Sequence, residues 1–210
     1  MKKKKLFLIY LKKKKFIFLM NKLNTGDILI FKKYGKSIIS KITDSPYTHA
    51  AIVVKDPWWD NLKKGLYVIQ SISYYEKDVE QNKFKKGVQM EYLNDVIKGR
   101  KVDVRYLSNI ERDDTFKKNF KKIHDLTYNK PYDSNWCDWL CTGLYNLGCK
   151  LCKNIRHKNN FWCSALVGFF YVKLNLLSKK TDWSNLSPAD LSNIILLKPY
   201  ELSEPVHLNY

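Results

Sequence analysis

The apolar positions of this chain change their spacing about halfway along. Asn24-Thr25-Gly26-Asp27 is a turn signal, and Ile28-Leu29-Ile30-Phe31 after it is short and β-rich, as a buried strand is. Ile38, Ile39 and Ile42, within Gly35 to Asp44, fall on one face of a short helix that Ser45-Pro46 ends. Tyr47 to Val54 reads as a second strand with His49 at its mouth, followed by a loop carrying Pro57-Trp58-Trp59. Leu66 to Ser73 reads as a third strand and Gly87 to Leu93 as a fourth. Lys101 to Leu107, with its period-two alternation, reads as a fifth.

From Asp113 onward the period becomes helical. Phe116, Phe120, Ile123 and Leu126 recur every three or four residues behind a cap at Asp113 or Asp114, and Lys130-Pro131-Tyr132-Asp133 ends that helix. Trp136 to Leu147 predicts another helix, closed by Gly148, and a further one begins at Cys163 and ends near Leu177. Ser187-Pro188-Ala189-Asp190 predicts a short capped helix, with Ile194 to Leu197 and Pro205 to Leu208 as returning strands. Strands first and helices mostly after make an α+β domain, expected to span residues 23–210.

Candidate chemistry starts at Asn160-Phe161-Trp162-Cys163-Ser164-Ala165-Leu166, where a cysteine opens an apolar helical run. The free N–H groups and positive dipole end of a first helical turn favour a thiolate. A free cysteine is otherwise most often a small buried hydrophobe, so a proton-handling partner is required. His49 has a strand behind it and a turn before it, the setting of a base held in one orientation. His124 lies on a lysine-rich amphipathic helix, His157 in a basic loop and His207 near the end, all poorer candidates. Gln70, a polar residue amid Tyr67, Val68, Ile69 and Ile72, is placed to meet the imidazole from a neighbouring strand; an amide oxygen there would fix the ring's tautomer.

Charge changes this picture less than its size suggests. The net charge is +18, but half of it comes from residues 1–22, which hold nine lysines and no acid. Arginine occurs only at positions 100, 105, 112 and 156, few for a protein that reads bases, so nucleic acid is not the expected partner. In the tail, Lys2 to Lys5 and Lys12 to Lys15 alternate with short apolar runs too brief to span a bilayer, and the second lysine block would interrupt a signal-peptide core. Residues 1–22 are expected to form a loose basic tail with affinity for an anionic membrane surface. Cys137, Cys141, Cys149 and Cys152 include one C-x-x-C, but two of them share a face of an apolar helix and the motif has no knuckle-like partner; neither a metal nor a cofactor is expected. An odd count of five cysteines fits a reducing, cytoplasmic compartment.

Taken in order, Gly26-Asp27-Ile28-Leu29-Ile30-Phe31, Ser45-Pro46-Tyr47-Thr48-His49-Ala50-Ala51-Ile52, the strand holding Gln70, Tyr132-Asp133, Trp162-Cys163-Ser164-Ala165-Leu166-Val167 and Ser187-Pro188-Ala189-Asp190-Leu191 resemble the circularly permuted NlpC-type papain-like hydrolases. This YiiX/YaeF-like group has poxvirus and giant-virus members, and a viral chain would act in host cytoplasm or virion. The resemblance covers nearly all of residues 23–197. It implies an antiparallel sheet or small barrel packed on helices, with Cys163 as nucleophile, His49 as base and Gln70 in a third polar place. Many relatives carry Glu or His in that place, so glutamine is a departure. The implied activity is a cysteine hydrolase acting on amide or ester bonds, peptidase- or amidase-like, in peptides or on lipid acyl chains. Acyl transfer from the same site, a non-catalytic binding module and a basic membrane or nucleic-acid adaptor are the alternatives.

Overall fold

A computed structural model describes residues 2–32, 45–59, 62–133 and 159–208. The helices predicted at 35–44 and 136–147 lie outside these, as do Cys137, Cys141, Cys149, Cys152 and His157. In chain order the elements are α1 (Lys2–Lys22), β1 (Ile28–Lys32), β2 (Tyr47–Lys55), β3 (Leu66–Asp78), β4 (Lys83–Tyr92), α2 (Leu93–Ile97), β5 (Lys101–Arg105), β6 (Leu107–Ser108), α3 (Asp114–Thr127), α4 (Cys163–Lys173), α5 (Pro188–Asn193), β7 (Glu201–Leu202) and β8 (Val206–Leu208). The architecture is α+β.

Six strands form one antiparallel sheet in the order β4-β3-β2-β1-β5-β8, and β6 pairs with β7. Among the described residues the sheet does not close, so it is an open sheet and not a barrel. Both faces are covered, which is why β1 reads as an unbroken apolar run instead of alternating. One face packs Ile28, Ile30, Ala50, Ile52 and Ile69 against α3 and α4. The other packs Leu29, Phe31, Ala51, Val53 and Val68 against α2 and the last turn of α1.

Several boundaries differ from the periodicity. The third strand runs on to Asp78 because it continues as a hairpin with β4, whose turn places Asn82 at φ 53°. Leu93 opens α2 instead of ending a strand. The helix begun at Cys163 stops at Lys173, with Asn175 in the left-handed region at φ 58°. Ile194 to Leu197 form no strand, and the carbonyl of Ile194 accepts from the buried Arg105 guanidinium instead. The predicted caps are present: Asp113 accepts from the Phe116 N–H at 2.7 Å, and Ser187 and Asp190 form a reciprocal capping box. Residues 2–22, expected as a loose tail, are helical.

Asp27 ties the start of β1 to the rest of the chain. Its carboxylate accepts the N–H of Asn24 at 2.8 Å and of Leu107 at 2.8 Å, while the Tyr171 hydroxyl of α4 reaches the Gly26 carbonyl at 2.6 Å. Gly26, at φ 97°, makes the turn that permits both. These bonds fix α4 against the sheet.

Candidate active site

The site forms where the sheet forks. β2 and β3 pair from Lys55↔Leu66 to Ile52↔Ile69, and there their ladder stops. Beyond that point β2 pairs only with β1, through His49 and Tyr47, and β3 only with β4. Among the described residues the backbone N–H of Ala50 is therefore left without a β3 partner. It lies near Cys163 and favours the thiolate form of that residue. Beside it, the Ser71 hydroxyl of β3 donates to the Phe161 carbonyl at 2.6 Å, so β3 holds the segment leading into α4 at the fork.

Local sequence explains why α4 starts there. Trp162 has an extended backbone (ψ 170°) and stands as N-cap without a side-chain cap bond. Its indole N–H and the Ser164 hydroxyl both donate to the Leu186 carbonyl, at 3.3 and 2.6 Å. The helix behind Cys163 is buried on all sides from Ser164 to Val172, so its position cannot slide without opening the core. Phe161, Trp162 and Trp59 belong to that core, while Trp58 is partly exposed. The aromatics near the site thus serve packing first.

By strand alternation His49 shares the side of the sheet that carries Ala51 and Phe31, and its ring centroid lies 5.2 Å from that of Phe31. Cys163 opens α4, which packs on the opposite side, and the Ala50 N–H near it belongs to the peptide that follows His49. His49 is half-buried and Cys163 buried. The imidazole Nε2 lies 2.7 Å from Gln70 Oε1. The Gln70 amide nitrogen in turn donates to Glu91 Oε1 at 2.6 Å, and Gln89 donates to the same oxygen at 2.7 Å. An oxygen that receives two amide donors is an acceptor, so the Gln70 NH2 must face Glu91 and its carbonyl must face the histidine. The ring then carries its proton on Nε2 and keeps the Nδ1 lone pair free.

Electrostatics favour neutral partners at rest. Burial lowers the His49 pKa from 6.5 to about 4, opposed by the Gln70 bond and assisted by the Arg100 charge. Burial likewise raises the Cys163 thiol, against the N–H groups of Ala50, Ser164 and Cys163 itself. A thiol and a neutral imidazole result, with the backbone N–H groups of Ala50, Ser164 and Cys163 favouring the thiolate against burial.

Tyr132 and Asp133 join the site through backbone. Tyr132 forms a parallel bridge with Phe161, Asp133 N–H donates to the Phe161 carbonyl at 3.2 Å, and Phe161 N–H to the Pro131 carbonyl at 3.1 Å. Gly87 makes this approach feasible: at φ 95°, a Cβ built there would lie 2.4 Å from the Lys130 carbonyl oxygen. The Tyr132 phenol is pushed well up by burial and by the nearby Cys163 and Asp133 charges, so it stays protonated. Glu91, the Ala50 N–H and Tyr132 were not assigned to the chemistry by sequence reasoning. Period-two alternation puts Glu91 on a buried face, where a carboxylate needs a partner, and that was the only available signal.

A buried helix opening on a cysteine, set against an antiparallel sheet whose strands bring histidine and an amide, defines the papain-like cysteine hydrolases, here with the histidine ahead of the cysteine in the chain. Residues 22–186 match the permuted papain-like amidase family, YaeF/YiiX, also called peptidase family C92, and the chain belongs to it. The family makes it, at the coarse level, a cysteine hydrolase of amidase or peptidase type. No curated protein matches the chain.

Proposed function

We propose that the protein cleaves amide bonds through an acyl-enzyme on Cys163, with His49 as general base and then general acid. What supports this reading is the fork: the Ala50 N–H that favours the Cys163 thiolate belongs to the peptide following His49, whose ring Gln70 orients. As a carbonyl carbon approaches, the thiol proton passes to His49 Nδ1 and the S–C bond forms. The oxyanion is met by the Cys163 N–H at the positive end of α4, with the Tyr132 hydroxyl as a second donor. The imidazolium then protonates the leaving amine as the C–N bond breaks. Water, deprotonated by the same Nδ1, attacks the thioester, and the sulfur leaves and regains its proton.

Gln70 acts as a positioning residue through the ring, and Glu91 acts through Gln70. Glutamine in place of a carboxylate leaves the ring without a charged partner, which suits a base that must be neutral before attack. The test is labelling with an acyl-type electrophilic thiol probe, read by intact mass on wild type, Cys163→Ala and His49→Ala. One adduct on wild type, none on Cys163→Ala and slowed labelling of His49→Ala are expected. Undiminished labelling of Cys163→Ala would remove the nucleophile.

A further inference from the structure

The helix α1 has two apolar faces, and among the described residues only one is covered. Leu19 and Met20 are buried, with Leu23 just beyond the helix and Phe16 partly buried beside them, against the sheet face that carries Leu29 and Val53. Phe7, Tyr10, Leu11, Ile17 and Phe18 recur at the three- and four-residue steps of a second stripe, roughly opposite the first at about 100° per residue. All five are exposed, Phe7 by 61 % and Phe18 by 58 %.

Lysines are woven into this outward stripe and flank it. Lys14 lies in the stripe with its ammonium 5.9 Å from the Tyr10 ring centre, and Lys22 stands 4.4 Å from that of Phe18. Lys12 to Lys15 are all exposed. At the root of the helix, Phe16, Ile17 and Met20 share a groove of about 550 Å³ with Lys63 and Lys64 of the body, extending the positive field to the domain itself.

We propose that α1 lies flat on an anionic lipid leaflet, its aromatic stripe at the headgroup boundary and its lysines on the phosphates and carboxylates around it. Apolar side chains that stay in water at this cost, interleaved with a block of like charge, match a surface that offers hydrocarbon and negative charge together. Charge argues against a second copy as occupant, since nine lysines and no acid on each partner would repel. The stretch also lacks arginine, the residue that clamps nucleic-acid phosphates. Among the described residues no helix is long and apolar enough to cross a membrane, so the contact is with the surface.

The experiment is co-sedimentation of the full chain with vesicles of phosphatidylcholine alone or mixed with phosphatidylserine, and sedimentation velocity without lipid. Phe7→Ser/Phe18→Ser and a variant with Lys12, Lys13, Lys14 and Lys15 all replaced by Gln alter only exposed side chains, and unchanged thermal unfolding without vesicles confirms their folding. Wild type should bind the phosphatidylserine vesicles and not the neutral ones. Binding should weaken by about a hundredfold or more in the lysine variant and by about tenfold in the serine variant. Equal binding to both vesicle types would overturn the proposal. So would unchanged binding of the serine variant, or a lipid-free dimer that the serine variant abolishes. None of these readouts depends on Cys163.

Discussion

Two histidines of this chain sit in polar nests, and their surroundings differ in the one respect that matters for chemistry. His124, on α3, is 1 % exposed and its Nε2 lies 2.9 and 3.0 Å from the two carboxylate oxygens of Glu80. Trp59 donates to the same carboxylate at 2.6 Å, and His124 Nδ1 is buried without a partner among the described residues. Although burial pushes Glu80 up, the His124 and Trp59 bonds hold it below its ordinary value. His49 instead faces an amide, stays half-open and precedes the Ala50 N–H that favours the Cys163 thiolate. A direct carboxylate makes a tight, closed pair suited to joining α3 to the β3–β4 hairpin. An amide leaves the ring neutral with a free lone pair, as a general base requires. The difference lies in what stands next to the ring, and not in burial alone.

The sharpest way to break this comparison is to remove each ring in turn. His49→Ala should lower turnover of an amide substrate by about a thousandfold, while His124→Ala leaves kcat/KM within about twofold in steady-state assays on folded protein. A large activity loss in His124→Ala, or none in His49→Ala, would reverse the roles. The stability effect should run the other way. His124→Ala strips Glu80 of a buried partner and should cost about 3 kcal/mol in urea unfolding, well above the cost of His49→Ala.

Smaller effects sharpen the account of the amide. Glu91→Gln offers Gln70 a partner that can both donate and accept, so the Gln70 amide is no longer forced one way. Activity should fall by about tenfold, and ¹⁵N spectra of labelled histidine should show His49 leaving the single Nε2–H tautomer, with His124 unchanged. An unshifted His49 signal would separate Glu91 from the ring.

The smallest effect is in pH. The folded-state pKa of His49, about 4, lies below its ordinary 6.5, so the unfolded chain takes up that proton first as pH falls. Stability contributed by the neutral ring is complete above 6.5 and is lost as pH drops from 6.5 towards about 4. His49→Gln should therefore lose less Tm than wild type across that interval. The same depression keeps the base neutral in mild acid, so the acid limb of activity should fall nearer 4 than 6.5.

The sequence by itself determined the pieces whose cause is local. Apolar runs marked β1, β2, β3 and β5 because a buried strand must be apolar wherever it is covered. Asp113 and Ser187 marked helix starts because a cap bonds within three residues. Cys163, His49 and Gln70 were legible as candidates because each sets a reactive or polar side chain within or against an apolar run. What only the tertiary structure decided is where the β2–β3 ladder stops, which leaves the Ala50 N–H near a cysteine 113 positions away in the chain. It also decided that Glu91 orders the amide, that Gly87 admits Tyr132, and that α1 turns one apolar face inward and one out. Each depends on contacts between distant segments, and periodicity records that a side chain is buried without recording what it is buried against.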